Sequence, residues 1–151
     1  MKTVLIGISL ALAAACGGSS GSGATDRLAN FTGSGWNASV TTTISTTCPV
    51  FAGQSGARTY SITFAPTTGA DLQWTSAEGC LYKFNVSGNT ASLANPPVSC
   101  NITVNNIPVT ANWTSFTATT ADGRNLAIAT VGTATAVLQT CSFSETGTAT
   151  R

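Results

Sequence analysis

The chain contains no histidine. That removes the commonest general base near neutral pH and the commonest metal ligand. Charge is scarce as well. Asp, Glu, Lys and Arg make up 7% of the residues, against about 25% in an ordinary globular chain. With six basic and five acidic residues and a formal net charge of +1, no basic patch can be assembled, which argues against nucleic acid as a partner. The nearest pair of domain carboxylates, Asp71 and Glu78, has an odd spacing. On a continuous strand that spacing puts them on opposite faces about 23 Å apart, too far for a glycosidase pair. The five cysteines contain no C-x-x-C, so zinc is not expected. Gly17-Gly18-Ser19-Ser20-Gly21 matches G-x-S-x-G in letters only; it lacks the strand, turn and helix that give that motif its chemistry. The expectation is a protein without enzymatic activity, metal or cofactor.

The beginning of the chain is informative. Lys2 leads an eleven-residue apolar run, Val4 to Ala14, that ends in Leu12-Ala13-Ala14-Ala15-Cys16. One cation, a short apolar core and small residues before a cut are the parts of an export signal. The run is too short for a retained span, since ~30 Å of hydrocarbon needs about 20 residues. A Gly/Ser-rich tether, Gly17 to Gly23, follows. This gives a signal peptide over 1–15, a tether over 16–30 and a single domain over 31–151. A flexible tether of that length spans roughly 20 Å.

Residues 1–16 resemble the signal of bacterial lipoproteins, in which small residues precede a cysteine that receives a diacylglycerol on its sulfur. Leucine usually stands three places before that cysteine; here Ala13 holds the place and Leu12 precedes it. The resemblance implies that Cys16 is lipidated with fatty-acyl chains of the palmitate class and that the protein is anchored to a membrane of the bacterial cell envelope. Gly17, where an acidic residue would hold such a protein at the inner membrane, implies the outer membrane. The partners expected are thus the membrane itself, through the lipid, and a small apolar ligand or another envelope protein.

Lipidation also fits the cysteine count. In an oxidising compartment thiols pair, and Cys48, Cys80, Cys100 and Cys141 can form two disulfides while Cys16 is left over. Four cysteines allow three connectivities. Alternating strand directions bring all four toward one end of the domain. That favours Cys48–Cys141 and Cys80–Cys100, with the other two connectivities open on spacing alone.

Past the tether, period-two alternation is clean. Trp36, Ala38, Val40 and Ile44 alternate with Asn37, Ser39, Thr41 and Thr43, one buried and one wet face. Similar patterns run through Tyr60, Ile62 and Phe64, through Tyr82, Phe84 and Val86, through Val98, Cys100, Ile102 and Val104, and through Ile107, Val109, Ala111 and Trp113. Weaker strands fall at 71–76, 90–94 and 124–131, and 133–150 reads as one bent strand or two. Gly88-Asn89, Asn105-Asn106 and Asp122-Gly123 supply residues that tolerate positive φ in tight hairpins. Sequential hairpins favour an all-β, antiparallel up-and-down meander of about eight or nine strands, closed into a small barrel, with a β-sandwich as the alternative. Tyr60, Phe64, Tyr82, Phe84 and Trp113 then project inward and are the candidate ligand-binding residues. A filled core is the competing reading, since an eight-stranded barrel is wide enough for either.

The Gly33-Ser34-Gly35-Trp36 turn at the start of the first strand, together with Arg151, resembles the calycin and lipocalin group. There, a first-strand Trp packs under an Arg near the end of the barrel. The resemblance implies a carrier that holds a small apolar ligand inside the barrel, the alternative to the first expectation drawn from the anchor and the missing catalytic groups, a non-enzymatic structural or interaction role in the envelope.

Overall fold

The computed structural model describes residues 27–151. The signal segment, Cys16 and the tether through Asp26 lie outside the described residues. Residues 27–30, expected in the tether, instead form a helical turn that belongs to the domain. Asn30 N–H donates to Arg27 O (3.2 Å), and Phe31 and Thr32 N–H donate to Leu28 O (both 3.0 Å). Half-buried Leu28 packs on the core, which makes the turn part of the fold.

The domain is all-β and antiparallel, as expected. Its strands are β1 (Trp36–Ile44), β2 (Gly56–Ile62), β3 (Ala65–Pro66), β4 (Leu72–Thr75), β5 (Leu81–Ser87), β6 (Thr90–Leu93), β7 (Val98–Val104), β8 (Ile107–Thr119), β9 (Asn125–Ala136) and β10 (Gln139–Thr150). One sheet runs in the order β2-β1-β10-β9-β8-β6-β5-β4-β3, with β7 pairing only to β8. It forms a meander curled as a half-barrel. The ladder does not join its two end strands, β2 and β3; the chain itself turns from one to the other through Thr63-Phe64. A shallow cleft of about 290 Å³ marks that seam, lined by Ser61, Thr63, Gln73 and Trp74 among others.

Alternation fixes what faces inward, because residues i and i+2 share a sheet face. Trp36, Ala38, Val40 and Thr42 of β1 are buried, and Leu126, Ile128 and Thr130 continue the same inner layer on β9. Close strand approach also demands glycine at one inward position. A Cβ on Gly147 would come within 2.6 Å of Val40 Cα and closer still to the Ser39 carbonyl.

The two ends of the half-barrel differ. At one end the register gathers Trp36, Ile62, Thr150, Asn125 and Thr119. The 27–32 segment plugs this end. Phe31 is fully buried and meets Phe64 edge to face at 5.9 Å; Phe64 meets Phe84 at 5.4 Å, and Phe84 meets Phe116 at 5.2 Å. Such edge-to-face chains add to the burial of large rings. At the other end lie Ile44, Gly56, Val104, Ile107, Ala136 and Gln139.

Both disulfides belong to that second half and have the expected connectivity. Cys48–Cys141 (S–S 2.10 Å) ties the segment after β1 to β10. Cys80–Cys100 (S–S 1.94 Å) ties the start of β5 to β7. The second bond has a clear structural role: β7 pairs only with β8, so its free edge is fastened to β5 by the sulfurs.

Two features depart from expectation. Asp122-Gly123 sits within a five-residue loop, 120–124, instead of forming a two-residue hairpin. Thr120 and Asp122 explain its order: Gly123 N–H donates to Thr120 Oγ1 (2.9 Å), and Arg124 and Asn125 N–H donate to Asp122 Oδ1 (2.8 and 2.9 Å). The bonds from Arg124 and Asn125 stabilise the carboxylate and hold the Asp122 pKa at about 2. β8 runs six residues past Trp113, through a register shift between Trp113 and Ser115. The final segment takes the two-strand alternative: its start completes β9 and the rest is β10, joined at Val137-Leu138.

Candidate functional site

Between the aromatic plug and the disulfide-bearing end the half-barrel is hollow. A cavity of about 540 Å³ opens there, within the size range of small-molecule sites. Its walls come from several elements. β2 supplies Tyr60, β4 Trp74, β5 Tyr82, β8 Trp113 and Phe116, and β10 Phe143 and Glu145. Phe51, on a short 3-10 turn at Pro49–Phe51, also contributes to the lining.

The aromatic wall is built in two geometries. Trp74 is stacked between two tyrosines, 5.8 Å from Tyr60 at 17° and 5.0 Å from Tyr82 at 18°. This stack crosses the seam between β2 and β4 where no ladder runs, so side chains supply the contact that backbone bonds do not. Trp113 then meets Tyr82 edge on, at 5.2 Å and 88°, and Phe143 meets Trp113 at 5.8 Å and 78°. Phe143 lies over Gly132, its ladder partner on β9; a Cβ there would fall 2.6 Å from Phe143 Cζ. Glycine at 132 therefore sets how far the Phe143 ring can lie down on the wall.

One carboxylate faces the same space. Glu145 is paired in register with Thr42, and Thr42 Oγ1 donates to Glu145 Oε1 at 2.8 Å. No hydrogen bond reaches its second oxygen among the described residues. Arg58, on the neighbouring β2, also lines the cavity, and its Nη2 donates to Gln54 O (2.9 Å) and Gln54 Oε1 (3.1 Å). Glu78, exposed, sits at the rim. Burial first, then the negative field of Glu145, pushes the Tyr60 phenol well above its ordinary value; Tyr82 is raised by burial, then by Glu78 and Glu145.

Of the residues singled out from sequence, Tyr60, Tyr82 and Trp113 line the cavity, and Phe64 and Phe84 do not. The last two are buried in the plug, with relative exposures of 3% and 0%. They face inward as expected, but on the filled side of the barrel. Phe116, Phe143, Thr42 and Glu145 are not singled out by the sequence pattern, and Trp74 falls on a strand whose alternation is weak. Glu145 and Thr42 carried a usable signal, since both fall on the inward phase of their strands; two polar residues at inward positions mark a wall that meets something other than core. Asp71, the other carboxylate of the separated pair, accepts Val86 N–H at 2.7 Å and serves the β-framework. Among the described residues, no cluster of acidic and cysteine side chains could hold a metal ion, and no helix is long and apolar enough to cross a membrane.

Comparisons with protein-family models, with curated proteins and with solved structures yield no match to this chain.

Proposed function

We propose that the chain is a lipid-anchored, non-enzymatic binding protein of the bacterial cell envelope, sited at the outer membrane, whose open half-barrel holds a small and largely apolar ligand. The observation that carries the reading is the cavity: one end of the barrel is plugged by Phe31, Phe64 and Phe84, and the other keeps about 540 Å³ of space behind an aromatic wall. A chain that needed only a packed core would fill that volume, because voids of this size forfeit dispersion contacts. The anchor at Cys16 is the sequence's part of the proposal. Residue 27 lies at the plugged end, so lipid on Cys16 would hold that end toward the membrane and leave the mouth facing away.

Native mass spectrometry of protein extracted gently from its own membranes tests the proposal. A reproducible small molecule that disappears on filling the cavity with Ala111→Phe supports it. An empty protein that also fails to bind the hydrophobic fluorophore N-phenyl-1-naphthylamine overturns it.

A second reading, docking onto another envelope protein, is favoured by the β9–β10 turn. Val137 and Leu138 there are 78% and 103% exposed, an apolar tip at the same end as the mouth. Cross-linking from residue 137 in whole cells, with no protein adduct formed, would remove it.

A further inference from the structure

The shape and lining of the cavity are compatible with many apolar molecules, but its charge is not neutral. Resting on the binding role proposed above, we infer that the ligand is cationic: an amine or quaternary ammonium group on an apolar body, with the cation seated at Glu145 against the Tyr60–Trp74–Tyr82 stack.

Glu145 projects from the middle of β10 into a space whose other walls are chiefly aromatic and aliphatic. Glu145 is half-buried, and a ligand that covers it takes its carboxylate from water, which is costly unless the charge is paired. Its recorded partner is a neutral hydroxyl, Thr42, at 2.8 Å. Among the described residues the one cation on the wall, Arg58, is exposed and occupied by Gln54. With Glu78 at the rim, the ionisable groups that line the cavity are two carboxylates and one guanidinium, beside the Tyr60 and Tyr82 phenols. The balance is one negative charge. A bound cation supplies the missing counter-charge.

The aromatic residues favour the same ligand. A ring face carries negative quadrupolar charge, and Trp and Tyr are the best faces for a cation. Here two Tyr and two Trp converge on one cavity with a carboxylate among them. Trp74 is sandwiched, so the stack offers a cation its tyrosine rings, with Trp113 set edge-on beside Tyr82. A neutral hydrocarbon would gain from the same walls by burial alone and would leave Glu145 desolvated without a partner.

The experiment uses two probes of matched shape on the purified chain: benzyltrimethylammonium, and neopentylbenzene, in which carbon replaces the charged nitrogen. Binding is followed by tryptophan fluorescence and calorimetry. The cation is expected to bind at least about tenfold more tightly than its neutral counterpart, the scale of a partly desolvated cation–π contact with a charge partner. Glu145→Gln, which keeps an acceptor for Thr42, should bring the two probes to near parity. Arg58→Gln, which leaves Glu145 untouched, should strengthen the cation alone by about two- to threefold, and added salt should weaken the cation alone. Near-ultraviolet circular dichroism checks that each variant is folded, and if Glu145→Gln is not, Arg58→Gln and the salt series decide. Equal binding of both probes, unchanged by Arg58→Gln, overturns the cationic ligand and leaves the binding role standing. Failure of both probes and of N-phenyl-1-naphthylamine overturns the binding role and this inference with it.

Discussion

The Arg151 guanidinium carbon lies 4.4 Å above the centroid of the Trp36 ring. Trp36 is fully buried at the start of β1, and its indole N–H donates to Phe31 O at 2.9 Å. Arg151 follows β10 and reaches across the same end: Nε donates to Gly123 O and Nη1 to Thr32 O, both at 2.6 Å. One side chain thus joins the 27–32 plug, the β8–β9 loop and the end of β10. Arg151→Ala should destabilise the domain by about 1–2 kcal/mol, from a cation–π contact and charge-assisted bonds at a partly exposed site. Arg151→Lys should recover less than half, because an ammonium lacks the planar fork that serves two carbonyls while stacking. Urea denaturation checks both; equal stability of all three proteins would show that the contact contributes nothing.

A second prediction concerns the turn between β9 and β10. Val137 and Leu138 hold φ of 48° and 66°, the left-handed region that a β-branched residue strongly disfavours. Two-residue hairpins with both residues in this region prefer Asn-Gly, and Asn105-Asn106 obeys that chemistry, with φ of 50° and 64°. V137N/L138G should therefore raise stability, by roughly 1–2 kcal/mol for relieving two such residues. Thermal and urea unfolding measure it. A loss of stability would mean that the apolar pair contributes packing that its exposure hides.

The same turn shows where the sequence could be read and where it could not. β1, β5 and β7 alternate without interruption, and the structure follows them nearly residue for residue. Strand direction favoured the observed disulfide pairing but left the other two connectivities open. The β9–β10 break was not legible as a turn, since Val-Leu is a strand-forming pair and the turn is imposed by the two ladders on either side. β8 was cut short for a different reason. The register shift after Trp113 changes the inward phase from odd to even, so that Phe116 and Ala118 face inward where the earlier phase predicts 115 and 117. A period-two pattern cannot be followed through such a shift, and Phe116 was lost from the candidate site with it. Phe64 and Phe84 were read correctly as inward. Alternation says which face a residue takes, but not which end of the barrel is filled.

Cys16→Ser should abolish membrane attachment and leave the β domain folded. Cys16 is the lipid site of the proposed N-terminal signal, and the four other cysteines are joined as Cys48–Cys141 and Cys80–Cys100. Labelling cells with a radioactive fatty acid should mark the wild-type protein and not the variant. A variant that still fractionates with membranes would break the anchoring proposal while leaving the cavity and its ligand untouched.

Tyr60 and Tyr82 are the two tyrosines of the chain, so phenolate absorbance near 295 nm reports the cavity directly. Both pKa values are raised above the ordinary 10.0, by burial first and by nearby carboxylates second. The folded protein should show little phenolate at pH 10, where an unperturbed tyrosine is half ionised. A group whose folded pKa is raised contributes stability that is fully present below its unfolded pKa and is lost as the pH climbs toward the folded one. The domain should therefore hold its stability up to about pH 9 and lose it progressively above pH 10, with unfolding releasing both phenolates together. Glu145 raises both pKa values by its charge, so Glu145→Gln should shift the absorbance titration to lower pH at both residues. Tyr60→Phe then isolates Tyr82, whose shift should shrink but persist, because burial and Glu78 still act on it. Phenolate appearing at pH 10 in the folded wild-type protein would mean that the cavity is wetter, and its carboxylate more distant, than the geometry has it.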